Sequence, residues 1–163
     1  MEQNDQVCIA PKLDSTMVHY VLSHSYSVFL GMIILGMALD FIFPVQFFSE
    51  MFMYGGLALI VVGSYIIYWA QTTSGKSKKE FKKTGKRIFA QGPYKWSRNP
   101  THVGLSLMTL GFGLLIGSLF IVILTVAAFI ITKLVFLKEE ENLLEKKYGP
   151  EYCEYKEKVS TWL

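Results

Sequence analysis

Residues 102–137 read HVGLSLMTLGFGLLIGSLFIVILTVAAFIITKLVFL, an apolar run whose single charge, Lys133, lies close to its end. As one helix this run would be about 50 Å long at 1.5 Å per residue, whereas the hydrocarbon core of a bilayer is about 30 Å thick. Gly117 and Ser118 lie near its centre, where a tight turn is easily formed. The run therefore predicts a hairpin of two helices.

Two further apolar blocks precede this hairpin. The first covers about 25–45 and is interrupted only by Asp40, and the second covers about 51–70 and contains no charge. Each is close to the roughly 20 residues that a helix needs to cross a bilayer. The sequence therefore predicts an all-α integral membrane protein with about four transmembrane helices. The last two form the tight hairpin, and a C-terminal helix follows at the cytoplasmic interface.

The 163 residues are expected to form a single membrane domain. Its predicted parts are an N-terminal segment at 1–22, two spans at 23–70, a basic cytoplasmic loop and turn at 71–101, the hairpin at 102–137, and a C-terminal helix at 138–163 that closes a binding site.

Basic residues between Gln71 and Arg98 predict the orientation. Only one acidic residue, Glu80, lies among these basic residues. The basic residues are Lys76, Lys78, Lys79, Lys82, Lys83, Lys86, Arg87, Lys95 and Arg98. Basic loops lie on the cytoplasmic side, so this loop, both termini and the predicted site are expected there. The net charge of +3 reflects this loop. It favours anionic headgroups as partners over nucleic acid, because no nucleic-acid-binding module surrounds it.

A polar turn leads into the hairpin, and residues 91–104 read QGPYKWSRNPTHVG. Pro100 suits the first turn of a helix. The unpaired N–H groups of that helix start would lie beside Arg98 and Asn99, where they attract a carboxylate or a phosphate. The alternative is a simple interfacial cap in which Arg98 reaches back to the membrane surface.

An acidic run follows the hairpin at Glu139, Glu140 and Glu141. One stripe of the predicted helix has the spacing i, i+4, i+7, i+11: Leu137, Glu141, Leu144 and Tyr148. Glu140 flanks this stripe, whereas Glu139 points elsewhere. A carboxylate on an apolar stripe needs a partner, and either a bound cation or Arg98 from across the site would serve. The alternative is a cluster of exposed charges.

These two segments, in this order, resemble the isoprenylcysteine carboxyl methyltransferase family and the related small membrane phospholipid methyltransferases. The matching positions are Gly92, Tyr94, Arg98, Pro100, Gly104, Glu140, Glu141, Leu144, Tyr148, Gly149, Tyr152 and Tyr155. Two positions depart from the family pattern. Asn99 stands where the family usually has His, and His102 stands where it usually has Tyr.

The resemblance implies an S-adenosyl-L-methionine-dependent methyltransferase whose lipid or lipidated acceptor enters sideways from the bilayer. The cofactor-binding residues it implies are Gln91, Gly92, Tyr94, Asn99, Pro100, His102, Gly104, Glu140 and Glu141. Arg98 and His102 are the implied catalytic residues. An isoprenylcysteine-type carboxylate would need no base and would be oriented by Arg98. A phospholipid-type amine would need one, from His102 or a Glu.

Two other classes of protein remain open at this stage. A nicotinamide-dependent membrane reductase of the sterol reductase type has a similar C-terminal region, although such reductases usually have many more spans. In a non-enzymatic membrane scaffold, the same residues would only cap a helix at the interface. No metal is expected, because the three His residues show no metal-ligand spacing.

Overall fold

A computed structural model of the chain describes residues 15–45, 50–84 and 89–160. Segments 1–14, 46–49, 85–88 and 161–163, which include most of the predicted N-terminal segment, lie outside the described residues. The α-helices are α1 (Ser15–Ile42), α2 (Glu50–Thr84), α3 (Pro100–Ile116), α4 (Leu119–Ile131), α5 (Leu137–Tyr148) and α6 (Pro150–Lys158). A single 3₁₀ turn covers Gly92–Lys95, and a π turn covers Thr132–Phe136. The all-helical class that the sequence predicts is confirmed for the described residues.

The second helix is longer than its apolar block. A span ending near residue 70, followed by a basic loop, was expected, but α2 continues without a break to Thr84. The extension contains five Lys, which is a good helix former, and adding residues to an existing helix requires no new nucleus. Gly75 within it is exposed and does not end the helix. The first half of the predicted loop is therefore helical.

The break predicted at the centre of the hairpin is present. Gly117 follows α3 in a left-handed conformation, with a φ of 76°, which glycine adopts without strain. Ser118 then caps α4, because its Oγ accepts a hydrogen bond from the backbone N–H of Ile121 at 3.0 Å. These two residues reverse the chain, so that α3 and α4 pack against each other.

The C-terminal region differs from the single helix predicted for 138–163. The chain remains helical from α4 through the π turn into α5, and then turns at Gly149, which has a φ of 62°. Pro150 starts α6, because a proline at the first helical position loses no hydrogen bond. This reversal folds α6 back over the polar turn that precedes α3.

Helices α2 and α3 form the most extensive contact in the fold. Glycines from both helices meet along their contact: a Cβ on Gly63 would lie 2.6 Å from the carbonyl oxygen of Gly104, and one on Gly111 would lie 2.6 Å from that of Gly56. Close backbone approach of this kind is typical of helices packed in membranes. The pairing fixes the start of α3, and hence the site, against α2.

Within the described residues, one segment, Glu50–Glu80, is both long and apolar enough to cross a membrane, with a mean hydropathy of 1.8. The other apolar helical segments are shorter: Tyr26–Ile42, Pro100–Ile116 and Leu119–Leu134. Large apolar side chains on α1, α2 and α4 are exposed, among them Phe41, Val61 and Ile123. Four crossings are not established by these lengths and remain a prediction.

Candidate active site

The polar turn before α3 rests on the C-terminal extension of α2, residues 71–84. Gly92 packs so closely there that a Cβ would lie 2.7 Å from the hydroxyl oxygen of Thr73. Trp96 and Trp69 meet edge to face, with ring centroids 6.1 Å apart. The turn is therefore held by α2, and it delivers residues 97–100 to the start of α3 in a fixed position.

Asn99 precedes α3 as its N-cap residue but does not cap it in the usual way. Its side chain makes no capping hydrogen bond, and its backbone N–H donates to Ser97 Oγ at 3.2 Å. The side chain is 7% exposed, and its Nδ2 atom has no hydrogen-bond partner among the described residues. A buried amide donor without a partner is costly, so this position favours binding of a ligand that can accept a hydrogen bond.

Two buried pairs join the turn and the first turn of α3 to α5. Arg98 Nη1 lies 3.1 Å from Glu141 Oε1, and His102 Nε2 lies 3.3 Å from Glu140 Oε2. All four side chains are about one-tenth exposed or less. The two sequence segments that carry the resemblance thus form one cluster. Of the two partners considered for Glu141, the structure has Arg98 in contact.

Lys156 from α6 also contacts this cluster and was not among the predicted residues. Its Nζ lies 3.5 Å from Glu141 Oε2 and forms a second ion pair with Glu145. The position of Lys156 depends on the reversal at Gly149, which the expected single helix did not include. A Gly-Pro pair at 149–150 was the available signal, because it ends a helix and starts another.

The C-terminal helix is fastened to the turn by two further hydrogen bonds. The Tyr155 hydroxyl donates to the backbone carbonyl oxygen of Tyr94 at 2.7 Å, and the Arg98 backbone N–H donates to that of Ser160 at 3.0 Å. Tyr152, Tyr155 and Val159 form a buried core with Phe89 packed against it. Burial raises the pKa of the Tyr152 and Tyr155 phenols above the ordinary value, and Arg98 nearby partly opposes this in both.

Three of the predicted cofactor residues take no part in the cluster of ion pairs. Gln91 is at the surface, where its side chain donates to Glu80 at 3.1 Å. Gly104 lies in the contact between α2 and α3, where its open face meets Ile67 and Gly63. Pro100 is buried as the first residue of α3. Gly104 was expected to admit a ligand or a backbone, and the structure places a backbone there.

Tyr94 and the acidic side chains of the predicted site differ in how deeply they are buried. Tyr94 is partly buried, and burial is the main cause that raises the pKa of its phenol. Glu140 and Glu141 are 7% and 9% exposed. The side chains of Glu139 and Leu137 lie outside the described residues.

The charges of the cluster nearly balance. Three carboxylates, Glu140, Glu141 and Glu145, lie beside two cations, Arg98 and Lys156, and beside His102. Such a site can accept a ligand that carries groups of both signs without burying a large net charge. No group of three His, Cys, Asp or Glu side chains that could hold a metal ion occurs in the part of the chain that the structure describes.

Comparison with known proteins gives the same family as the sequence motifs. The phospholipid methyltransferase family matches residues 51–151, which is more than half of the chain. Protein-S-isoprenylcysteine O-methyltransferase of Saccharomyces cerevisiae is 32% identical over 111 residues, covering 64% of this chain and 45% of the yeast protein. The protein of the same name from Tribolium castaneum is 26% identical over 114 residues, covering 65% of this chain and 39% of the Tribolium protein. The chain thus spans less than half the length of these relatives. No solved structure matches it.

Proposed function

Since the chain belongs to the phospholipid methyltransferase family, we propose that it transfers a methyl group from S-adenosylmethionine to a lipid or lipidated acceptor held in a membrane. The family match and the two O-methyltransferase relatives support the reaction class. The acceptor class is left open by them, because the family description refers to phospholipids and the relatives are named for a prenylated cysteine. Both a carboxylate and an amine are therefore considered.

One observation carries the proposal: the turn before α3 and the acidic start of α5 meet in a single buried cluster. Arg98 and Glu141 are 43 positions apart in sequence, and their side chains are in contact at 3.1 Å. A charged pair at the interface of an apolar helix bundle is expensive to desolvate and is seldom retained for stability alone. Its presence here supports a functional site.

The residues present fit the cofactor. S-adenosylmethionine has a carboxylate and an ammonium, and when bound it would supply a methyl group on a sulfonium. The start of α3, together with the Asn99 Nδ2 donor that has no partner among the described residues, suits the carboxylate. The carboxylates of Glu140 and Glu141 suit the ammonium or the ribose hydroxyls.

The residues of the chain would contribute mainly by positioning. Arg98 is held in place by Glu141, so its planar guanidinium presents a fixed direction to an anionic group of the acceptor. The aromatic core around Tyr152 and Tyr155 keeps water from this side of the cluster. Methyl transfer is an in-line displacement, and orientation and exclusion of water can supply much of the rate increase.

We propose that α1 to α4 cross the bilayer and that the cluster faces the cytoplasm. Exposed apolar side chains on α1, α2 and α4 support contact with lipid. Lysines on the extension of α2 support a cytoplasmic position for the turn, because basic residues are concentrated on that side. An acceptor lipid would then reach the cluster from the plane of the membrane.

A binding titration distinguishes this function from its alternatives. We expect S-adenosylmethionine and S-adenosylhomocysteine to bind the detergent-solubilised protein with measurable heat, and NADPH to produce none. Binding of NADPH alone would indicate a reductase. Absence of binding by all three to a folded protein would indicate a scaffold, and the proposed function would then be wrong.

A further inference from the structure

His102 is a buried imidazole with one nitrogen engaged and one not. Its Nε2 lies 3.3 Å from Glu140 Oε2, and its side chain is 7% exposed. Its Nδ1 is buried and has no hydrogen-bond partner among the described residues. Buried polar atoms in native proteins are nearly always paired, so an atom like this one is expected to meet a ligand.

The partner of Nε2 determines what Nδ1 can do. An ionised carboxylate only accepts hydrogen bonds, so the contact with Glu140 requires Nε2 to carry the proton. In a neutral imidazole Nδ1 then holds a lone pair and can accept a proton. An imidazolium would instead bury an N–H at Nδ1 for which the described residues offer no acceptor, at a desolvation cost. The geometry therefore favours the neutral ring with its basic nitrogen turned away from Glu140.

Charged and titratable groups face this pair from every element packed around it. Glu141 stands beside Glu140 on α5 and is matched by Arg98 from the turn and Lys156 from α6. The phenols of Tyr26 on α1, Tyr94 on the turn and Tyr152 on α6 lie within electrostatic range of Glu140. Arg98 and Lys156 both contact Glu141, whereas the side chain in contact with Glu140 is that of His102. This arrangement leaves Glu140 to orient the ring.

We propose that Glu140 positions His102 as a proton acceptor, and that the site therefore takes an acceptor whose nucleophilic atom arrives carrying a proton, such as an ammonium headgroup. This rests on the proposed methyltransferase function. A carboxylate acceptor is already ionised at neutral pH and would give His102 no proton to take. His102 replaces the Tyr that the family usually has, so this property would belong to the chain itself.

The acceptor ammonium gives one proton to His102 Nδ1 and becomes a neutral amine. Its lone pair forms the new N–C bond as the C–S bond of S-adenosylmethionine breaks, and that bond's electron pair stays on sulfur, which becomes a neutral thioether. The product is a methylated ammonium, and His102 afterwards releases its proton to water. Each turnover releases one proton.

The first test reads the ring itself and needs no turnover. With His19→Gln and His24→Gln, His102 is the sole histidine, and ¹⁵N spectra of the protein in detergent report its tautomer. We expect Nε2–H in the parent protein at neutral pH. In Glu140→Gln the Gln amide can donate to Nε2, so the Nδ1–H tautomer should appear. In the exposed control Glu151→Gln the spectrum should not change. A parent protein with Nδ1–H, or a Glu140→Gln spectrum identical to the parent, would overturn the proposal.

The second test compares two acceptors under single-turnover conditions in nanodiscs. Phosphatidylethanolamine supplies an ammonium, and N-acetyl-S-farnesylcysteine supplies a carboxylate on a prenyl thioether. We expect methylation of the amine alone, and a loss of about 10²- to 10⁴-fold at neutral pH in His102→Gln, the usual contribution of a general base. Affinity for S-adenosylhomocysteine should change by less than about 10-fold in that variant, since one neutral hydrogen bond contributes about 1 kcal/mol.

The pH dependence of the methylation rate also distinguishes the parent protein from His102→Gln. The parent rate should rise less steeply with pH than the His102→Gln rate, which should keep rising toward about pH 10, where the amine itself loses its proton. Methylation of the carboxylate, at equal rates in both proteins, would overturn this inference while leaving the proposed function intact. Failure of S-adenosylhomocysteine to bind would instead contradict the proposed function, and the tautomer measurement would still decide the role of Glu140.

Discussion

Glu141 contacts two cations of the cluster, one on the turn and one on α6. Its two oxygens contact Arg98 and Lys156, at 3.1 and 3.5 Å, and it is 9% exposed. Removing one partner of a buried pair leaves the other charge in a poor environment, which typically costs about 3–5 kcal/mol. Lys156 can turn toward Glu145 and water, so the loss at Glu141 falls mainly on Arg98.

We predict that Glu141→Gln weakens S-adenosylhomocysteine binding by about 10- to 100-fold, because a hydrogen bond to a charged group contributes about 1.5–3 kcal/mol. The matched control is Glu151→Gln, which changes the same side chain at an exposed position of α6. Isothermal calorimetry on both proteins checks this. Equal dissociation constants would mean that the carboxylate lies outside the cofactor site.

The sequence predicted these contacts only where they depend on local periodicity. The helical stripe placed Glu141 on a buried face and allowed Arg98 as its partner, because i, i+4, i+7 spacing is a property of the chain alone. It did not predict Lys156 or the bond from Tyr155 to Tyr94, since both require α6 to fold back over the turn. It also did not show that Gly104 would face α2, because helix pairing is a long-range property.

At the scale of elements, the contact between α2 and α3 positions the candidate site. Gly63 faces the carbonyl oxygen of Gly104 so closely that an added Cβ would be 2.6 Å away, and the obstacle is backbone that cannot rotate aside. Gly55, on the same helix, has nothing within 4 Å of the equivalent atom. Alanine substitutions at the two positions therefore distinguish an effect on helix packing from an effect on helix propensity.

We predict that Gly63→Ala lowers the unfolding free energy by about 1–3 kcal/mol, the usual cost of overpacking. Gly55→Ala should be neutral or stabilising by up to about 1 kcal/mol, because alanine is the better helix former. Thermal unfolding in one detergent measures both. Equal shifts in the two variants would show that α2 and α3 do not approach so closely.

Because α6 buries two tyrosines, the folded protein should lose stability at alkaline pH. Burial raises the pKa of Tyr152 and Tyr155 above the ordinary value of about 10, so the folded protein holds these protons more tightly than the unfolded chain. The stabilisation is complete below about pH 10 and is lost as the pH rises through the folded pKa values.

We predict that the unfolding free energy of the parent protein falls more steeply above about pH 10 than that of a Tyr152→Phe, Tyr155→Phe variant. Tyr68→Phe, which changes an exposed tyrosine, is the control. Denaturant unfolding at several pH values measures the slopes. Parallel slopes in all three proteins would show that these phenols do not report burial of α6.

Element boundaries were predictable where the chemistry of a few residues decides them. Gly117 and Ser118 stop one helix and start another, and Pro100 begins a third, as the sequence indicates. The extension of α2 to Thr84 was missed because hydropathy marks where a helix leaves the hydrocarbon, whereas helix propensity decides where it ends. The π turn at Thr132–Phe136 has no comparable local signal.

At the scale of the whole molecule, the proposed orientation in the membrane cannot be read from helix packing and needs its own test. We predict that Ser77→Cys reacts with a membrane-impermeant maleimide only from the cytoplasmic side, and Ser49→Cys only from the opposite side, each in a Cys8→Ser, Cys153→Ser background. The reason is the asymmetry of lysines around the two positions. Labelling of both positions from the same side would contradict the proposed topology.

The central claim is that the turn and α5 together form one methyl-transfer site. Single-turnover transfer of a labelled methyl group from S-adenosylmethionine to a panel of membrane acceptors tests it most directly, using the parent protein, Arg98→Lys and the exposed control Lys158→Arg. We predict label in a lipid product for the parent and the control. Arg98→Lys should be about 10- to 1,000-fold slower, with S-adenosylhomocysteine binding retained, because lysine keeps the charge but loses the planar fork. Transfer by Arg98→Lys at the parent rate, or no transfer to any acceptor by a folded protein that binds the cofactor, would contradict the claim.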